Sequence, residues 1–236
     1  MTKEPRKLTR IMLPLSIAAG ISREQLKQGL THHRTALAQR FGKDAEMMIS
    51  IQQENDPFTM ITGARKIESA AAIMQISYPD NWPEADIANR LKGLANSLAE
   101  VIDTSTSALV FGRAYLLLEV QGNAFCGFIG RRDPGKTVDE MRNWWLHHHA
   151  PYAQSLTGYA NHGYDQLHVD REASQRLGAA SGFLYTPYDM ADCLDLPHQA
   201  EFLSATADPE IARKLYEDEV GFLDHSSWRG AFTDKI

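Results

Sequence analysis

Ser22–Phe41 reads SREQLKQGLTHHRTALAQRF, and a shift of 115 residues lays it without a gap on Thr137–Leu156, TVDEMRNWWLHHHAPYAQSL. Ser22 meets Thr137, each a good helix N-cap. Glu24 meets Asp139 in the first turn, where the helix dipole favours a carboxylate. Leu26 meets Met141, Leu30 meets Trp145, His32-His33 meets His147-His148 and Ala38-Gln39 meets Ala153-Gln154. A correspondence this ordered marks an internal repeat, not shared composition.

The flanks repeat too. An extended run precedes each helix, Arg10–Ala18 and Phe125–Arg131, and another follows, Ala45–Gln53 and Asn161–Asp170. A third run is expected at Ala70–Tyr78 and at Ala180–Tyr185, with Asn55–Lys66 as a loop in the first half. Glu84–Ala99 reads as a helix. Its counterpart is broken by Pro197 and Pro209 into short pieces ending near Tyr216. Each half closes on a strand, near Ser107–Glu119 and Val220–Trp228. The order is βαββαβ twice, which predicts an α+β chain of two ferredoxin-like repeats forming one barrel-type unit. The boundary falls at Gln121-Gly122, giving a structural partner, 1–120, and a site-bearing half, 121–236.

Composition narrows the function. The 236 residues are 43% hydrophobic, enough for a sizeable core, and the net charge of −6 argues against nucleic acid, whose backbone demands clustered cations. No apolar run approaches the roughly eighteen residues of a membrane span, and Ile11–Ile21 carries Pro14 and no cleavage signal. Two distant cysteines, Cys126 and Cys193, form no disulfide framework. The expectation is a cytoplasmic protein acting on a small molecule, with neither nucleic acid nor membrane as partner.

The second repeat is the more specific. Phe128–Leu156, FIGRRDPGKTVDEMRNWWLHHHAPYAQSL, followed by Leu215–Ser226, LYEDEVGFLDHS, resembles the EthD-like family of the dimeric α+β barrel superfamily. The matching features are Arg131-Arg132, Gly135-Lys136-Thr137, Trp144-Trp145, His149-Ala150-Pro151-Tyr152, and Asp218-Glu219 with Phe222 and Asp224. One departure is Ser181, where the family often carries an acid before its third strand. The resemblance implies cofactor-independent work on phenolic, aromatic or polyketide-like substrates, and a homodimer. Two repeats in one chain imply that the barrel closes within the monomer.

Helical spacing predicts that Met141, Trp145, His148, Tyr152 and Ser155 share a face turned to the sheet. Strand alternation puts His162, Tyr164, Gln166 and His168 on one face, a polar wall for a cavity. The second half holds seven of the nine histidines, so the chemistry is expected there. His148 or His149 is then general acid or base, with Tyr164 and His168 beside them and Asp224 orienting an imidazole. Arg131 receives a substrate carboxylate, while Trp144, Trp145, Tyr152, His162, Tyr185 and His225 complete the binding set. His33, between Leu30 and Leu37, reads as packing.

Two motifs are set aside. Gly130–Thr137, GRRDPGKT, fits the phosphate-loop pattern, but the repeat places Ser22 at the same helix start without a glycine loop. The consecutive His147-His148-His149 diverge around a helix, whereas a zinc pair wants i, i+4 spacing, so no metal and no cofactor are expected. The function that follows is a cofactor-independent lyase, carrying out decarboxylation, dehydration or cyclisation of a phenolic or aromatic acid. The alternatives are a cofactor-free or haem-linked monooxygenase of the same superfamily, and a phenol-binding accessory protein.

Overall fold

Strand β1 (Arg6–Ile17) is apolar on both faces, as a strand between two layers must be. Ile11, Leu13 and Leu15 enter one core, Leu8 and Met12 another. In this computed structural model, which describes residues 4–60, 67–80, 82–157, 162–183 and 186–236, β1 pairs antiparallel with β4 (Ala72–Pro79) and β6 (Val110–Leu118). Strand β2 (Glu46–Gln52) borders β4. In the second half β7 (Ala124–Arg132) lies between β9 (Met190–Leu196) and β10 (Leu223–Lys235), and β8 (Gly163–Val169) pairs with β9. Two short strands, β3 (Glu68–Ser69) and β5 (Ile102–Asp103), attach to β10 and β1.

The main path runs β2-β4-β1-β6-β8-β9-β7-β10, and β10 pairs back to β2, so eight strands close on themselves. The inner core fills this barrel with Met12, Phe125, Ile129, Leu167 and their neighbours. Across the β6–β8 seam, Arg10 Nη1 donates to Asp165 Oδ2 at 2.7 Å.

Outside the first half lie α1 (Arg23–Phe41), α2 (Glu84–Leu91) and α3 (Leu94–Leu98). Ser22 and Gln25 form a capping box, and α1 then buries Leu26, Leu30, Leu37 and Phe41, each contributing roughly 1.5–3 kcal/mol. Outside the second half, Thr137 and Glu140 form the same box for α4 (Val138–Trp144). One π-helical turn, Trp145–His149, carries the chain into α5 (Ala150–Thr157). Helices α7 (Gln199–Ala205) and α8 (Pro209–Glu219) complete that layer.

Three expectations are corrected. Within the expected strand Ala180–Tyr185, the described residues 180–183 are not a strand: Asp170 caps an additional helix, α6 (Arg171–Ser181), which packs on α2 and β6, and the third strand of this half is β9. The residue before it is Asp189, a buried acid bonded to Arg132 and Arg171, and Ser181 ends α6 instead of preceding the third strand. Glu84–Ala99 is two helices, because the chain turns at Gly93, whose φ of 70° an L side chain rarely adopts. Tyr185, Asn161 and the end of the expected Asn55–Lys66 loop lie outside the described residues.

Candidate active site

The two helix–sheet layers are built alike and filled differently. In the first half, Leu26, Leu30, Phe41, Tyr78, Ile87 and Leu91 occupy the space between helices and sheet. In the second half a cavity of about 310 Å³ remains between the sheet and α5, α7 and α8, at the lower end of the size of ligand pockets. Its apolar walls include Phe58, Ile67, Phe128, Leu194, Phe202 and Trp228, and its polar groups include His149, Tyr164, Asp192, Glu219 and His225.

Asp192 is the residue that sequence reading missed. In β9, MADCLDL, alternation turns Met190, Asp192 and Leu194 to the helices, and Ala191 and Cys193 into the barrel. The residue is half-buried, but its Oδ1 is sealed from solvent and accepts no hydrogen bond. Burial pushes this carboxyl up to about 7; the Cys193 backbone N–H opposes that shift and the negative charge of Asp165 adds to it. A carboxylate poised near neutrality beside an aromatic cavity suits a general base.

The β8 wall is present under the π-helical turn. Gln166, fully buried, donates from Nε2 to the Trp145 carbonyl at 3.0 Å and to Tyr164 Oη at 2.9 Å. His168 Nε2 lies 3.3 Å from Gln166 Oε1. Its ring stacks on Trp145 and leans on Tyr115, with centroids 5.2 and 4.5 Å away. Burial, with Arg142 and His147 nearby, pulls it down to about 3. His168 is thus neutral at pH 7, borders a separate hollow with Arg113 and Arg142, and lies away from the aromatic cavity.

The helix face is corrected by one residue. A regular helix would bring His148 to the sheet, but the π-helical turn inserts an extra residue, so Met141, Trp145, His149 and Ala153 are buried. His148 sits on the outer side, its side chain 51% exposed, packed between Trp144 and Tyr152. His149 Nδ1 meets Asp218 Oδ2 at 2.7 Å, and Trp144 Nε1 donates to Asp218 Oδ1 at 3.1 Å. The Asp218 side chain is largely buried, which alone would raise its pKa, yet the bond and charge of His149 leave it lowered.

The next residue on α8, Glu219, lines the cavity and lies 3.4 Å from His225 Nε2. His225 stacks on Trp228, which crosses β7 where only glycine fits: a Cβ on Gly130 would come within 2.8 Å of the indole. The remaining expected residues lie elsewhere. Arg131 is exposed near the end of β7, and its backbone N–H donates to Ser227. Asp224 caps the bulge of β10 through Ser226. His162 is buried at the start of β8 and lowered by that burial. Trp145 is fully buried beneath the site, while Trp144 and Tyr152 belong to the outer side of the helix.

Among the described residues no group of three or more His, Cys, Asp or Glu could hold a metal ion. His149, with Nδ1 held by a carboxylate, has the partner an axial haem ligand often has. The described lining nevertheless holds two carboxylates, Asp192 and Glu219, and neither lysine nor arginine to meet haem propionates, in a small cavity. It fits a small neutral molecule and does not fit a haem.

The EthD domain family matches residues 133–226, the stretch that supplies the π-helical turn, Asp192, α8 and His225. No curated protein matches the sequence. In fold, the chain is similar to a variant chlorite dismutase from Candidatus Nitrospira defluvii in complex with cyanide (TM-score 0.56, 9% identity, 97% of this chain and 90% of that one). A second protein assigned as a chlorite dismutase is as similar (TM-score 0.56, 10% identity, 98% and 95%). A candidate monooxygenase from Lactobacillus acidophilus NCFM is less similar (TM-score 0.51, 6% identity, 98% and 94%). At these identities the likeness is one of fold alone.

Proposed function

We propose that the chain is an EthD-like member of the dimeric α+β barrel superfamily and a cofactor-independent monooxygenase of small phenolic or polyketide-like substrates, started by Asp192. The observation that carries the reading is a carboxyl poised at about 7 in the wall of an aromatic cavity. Its carboxylate takes a proton from an activated CH₂ of the substrate, and the electron pair left on carbon is delivered to dioxygen. Return of a proton gives a hydroperoxide, and loss of water leaves a ketone. One oxygen atom enters the product and the other leaves as water, with the two substrate hydrogens.

The lyase expectation leaned on Arg131 to receive a carboxylate, and Arg131 lies away from the cavity. Monooxygenases are also named among the proteins that share this fold. The division of labour belongs to the same proposal: tandem ferredoxin-like repeats, 1–120 as structural partner and 121–236 carrying the site. It is supported by strand order, which runs second, third, first, fourth in each half. A homodimer would use surfaces other than the barrel seams.

The test is oxygen uptake with phenolic and anthrone-type substrates, with labelled dioxygen traced into the product by mass. One labelled atom per product is expected. Asp192→Asn should cut kcat by roughly 10²–10⁴-fold with the circular dichroism spectrum intact. Turnover without oxygen uptake, with loss of carbon dioxide or water, would return the protein to the lyases.

A further inference from the structure

We propose that His149 is the second proton-transfer group of the cavity, taking through Nε2 the hydrogen that Asp192 leaves on the reacting carbon, and that Asp218 is the positioning residue that holds it there. The inference rests on the reading of Asp192 above for the first proton, and on the surroundings of His149 for the second.

The roles of the two ring nitrogens follow from their neighbours. Nδ1 lies 2.7 Å from Asp218 Oδ2, and a carboxylate only accepts, so Nδ1 carries a hydrogen. Nε2 is then the nitrogen left to take or give a proton. It meets no hydrogen-bond partner among the described residues, and it is not sealed off from solvent. His149 lines the cavity and Asp218 does not, so the Nδ1 edge of the ring is turned into the helix layer and the Nε2 edge toward the cavity. The ring is held on three sides: Asp218 fixes Nδ1, Trp144 Nε1 fixes the other oxygen of Asp218, and Phe222 packs with its centroid 5.3 Å away. The other imidazole of the lining, His225, has Glu219 against its Nε2 at 3.4 Å.

The fold sets the two groups on facing walls. Asp192 stands on β9 in the sheet, and His149 stands in the π-helical turn of the layer that covers it. The two hydrogens of a CH₂ point to different sides of its carbon, so a substrate lying between these walls turns one toward each. Asp192 takes the first, and dioxygen adds on the side that hydrogen left. The hydroperoxide then presents its remaining hydrogen to His149. Nε2 takes that proton, the C–H electron pair becomes the second bond of the carbonyl, and the O–O bond breaks. The leaving oxygen takes the proton from Nε2 and departs as water, which returns the imidazole to its starting state.

The test reads both groups without oxygen. 2-Tetralone, a small aromatic ketone with one methylene between its ring and its carbonyl, is held with the protein in deuterium oxide under nitrogen. Deuterium entering that methylene above the buffer background is followed by proton NMR. The wild-type protein should exchange both hydrogens. His149→Asn, whose amide can still donate to Asp218, should exchange one at close to the wild-type rate and the other roughly 10²–10⁴-fold more slowly. Asp192→Asn should spare the other hydrogen, leaving product of opposite handedness. Asp218→Asn should slow only the exchange that His149→Asn slows, and it carries the same comparison if His149→Asn does not fold by circular dichroism. A purely structural role for His149 would slow both exchanges together. That result in folded His149→Asn, or two exchanges at wild-type rates, would overturn the inference, as would a wild-type protein that exchanges one hydrogen or neither. Exchange of both hydrogens by a wild-type protein that takes up no oxygen would remove only the oxygenase reading. Oxygen uptake by the wild type, with both exchanges intact in His149→Asn, would remove only this one.

Discussion

Asp192 and His168 carry opposite pH dependences in one layer of the protein. The Asp192 carboxyl is raised to about 7, so its contribution to stability is fully present below the unfolded carboxylate value and is lost as pH rises toward 7. The His168 imidazole is lowered to about 3, so its contribution is present above the unfolded histidine value and is lost as pH falls toward 3. Between roughly pH 4 and 6.5 the two slopes oppose each other, and the wild-type protein should show little dependence from this pair. Asp192→Asn should unmask a stability that rises with pH, and His168→Asn one that falls. Each slope should be about 1 kcal/mol per pH unit, somewhat under the full linkage value because each group titrates only partly within that window. Urea unfolding at three pH values in that window reads both slopes, and parallel profiles in all three proteins would sink the assignment. Of the pair, His168 was legible in sequence through its place on a polar strand face. Asp192 was not, because alternating carboxylates in a short strand resemble an exposed edge until the strand is located, and the strand was expected ten residues too early.

Elements were legible where local signals act alone. Ser22 and Thr137 start their helices as read, and Pro197 and Pro209 separate the short helices of the second half. What sequence could not show was the π-helical turn, because nothing in WLHHH distinguishes it from a regular helix. That turn exchanges His148 for His149 as the inward residue and sets the Trp145 carbonyl over Gln166. It is held from outside by α8, where Asp218 accepts from Trp144 and pairs with His149. Asp218→Ala should cost about 2–3 kcal/mol, the scale of a buried charge-assisted hydrogen bond left without its partner. It should also loosen α8, so amides of 209–219 should exchange faster than those of α1. Equal protection of α8 in variant and wild type would mean that the aromatic contacts of His149 with Phe222, and not the carboxylate, hold this wall of the cavity.

The molecule as a whole depends on contacts no local reading reaches. Barrel closure joins β6 to β8 and β10 to β2, and the first seam holds a buried ion pair between residues 155 apart in sequence. Arg10 donates from Nε to Ser77 on its own side and from Nη1 to Asp165 across the seam. Burial raises the Asp165 carboxyl and Arg10 opposes that rise, so the guanidinium is what keeps a carboxylate tolerable inside the barrel. Removing only Arg10 leaves a buried acid without its cation, whereas removing both charges leaves an apolar contact in a mostly apolar core. Arg10→Met should therefore destabilise the protein by about 3–5 kcal/mol, and Arg10→Met with Asp165→Leu should recover most of that loss. The cycle is read by chemical denaturation of the four intact proteins at pH 7. A double variant no more stable than Arg10→Met would mean that the pair acts by enforcing which strands meet at the seam. A mild single variant would mean that water entering the polar barrel mouth, where Gln75 and Asp195 also lie, already screens Asp165.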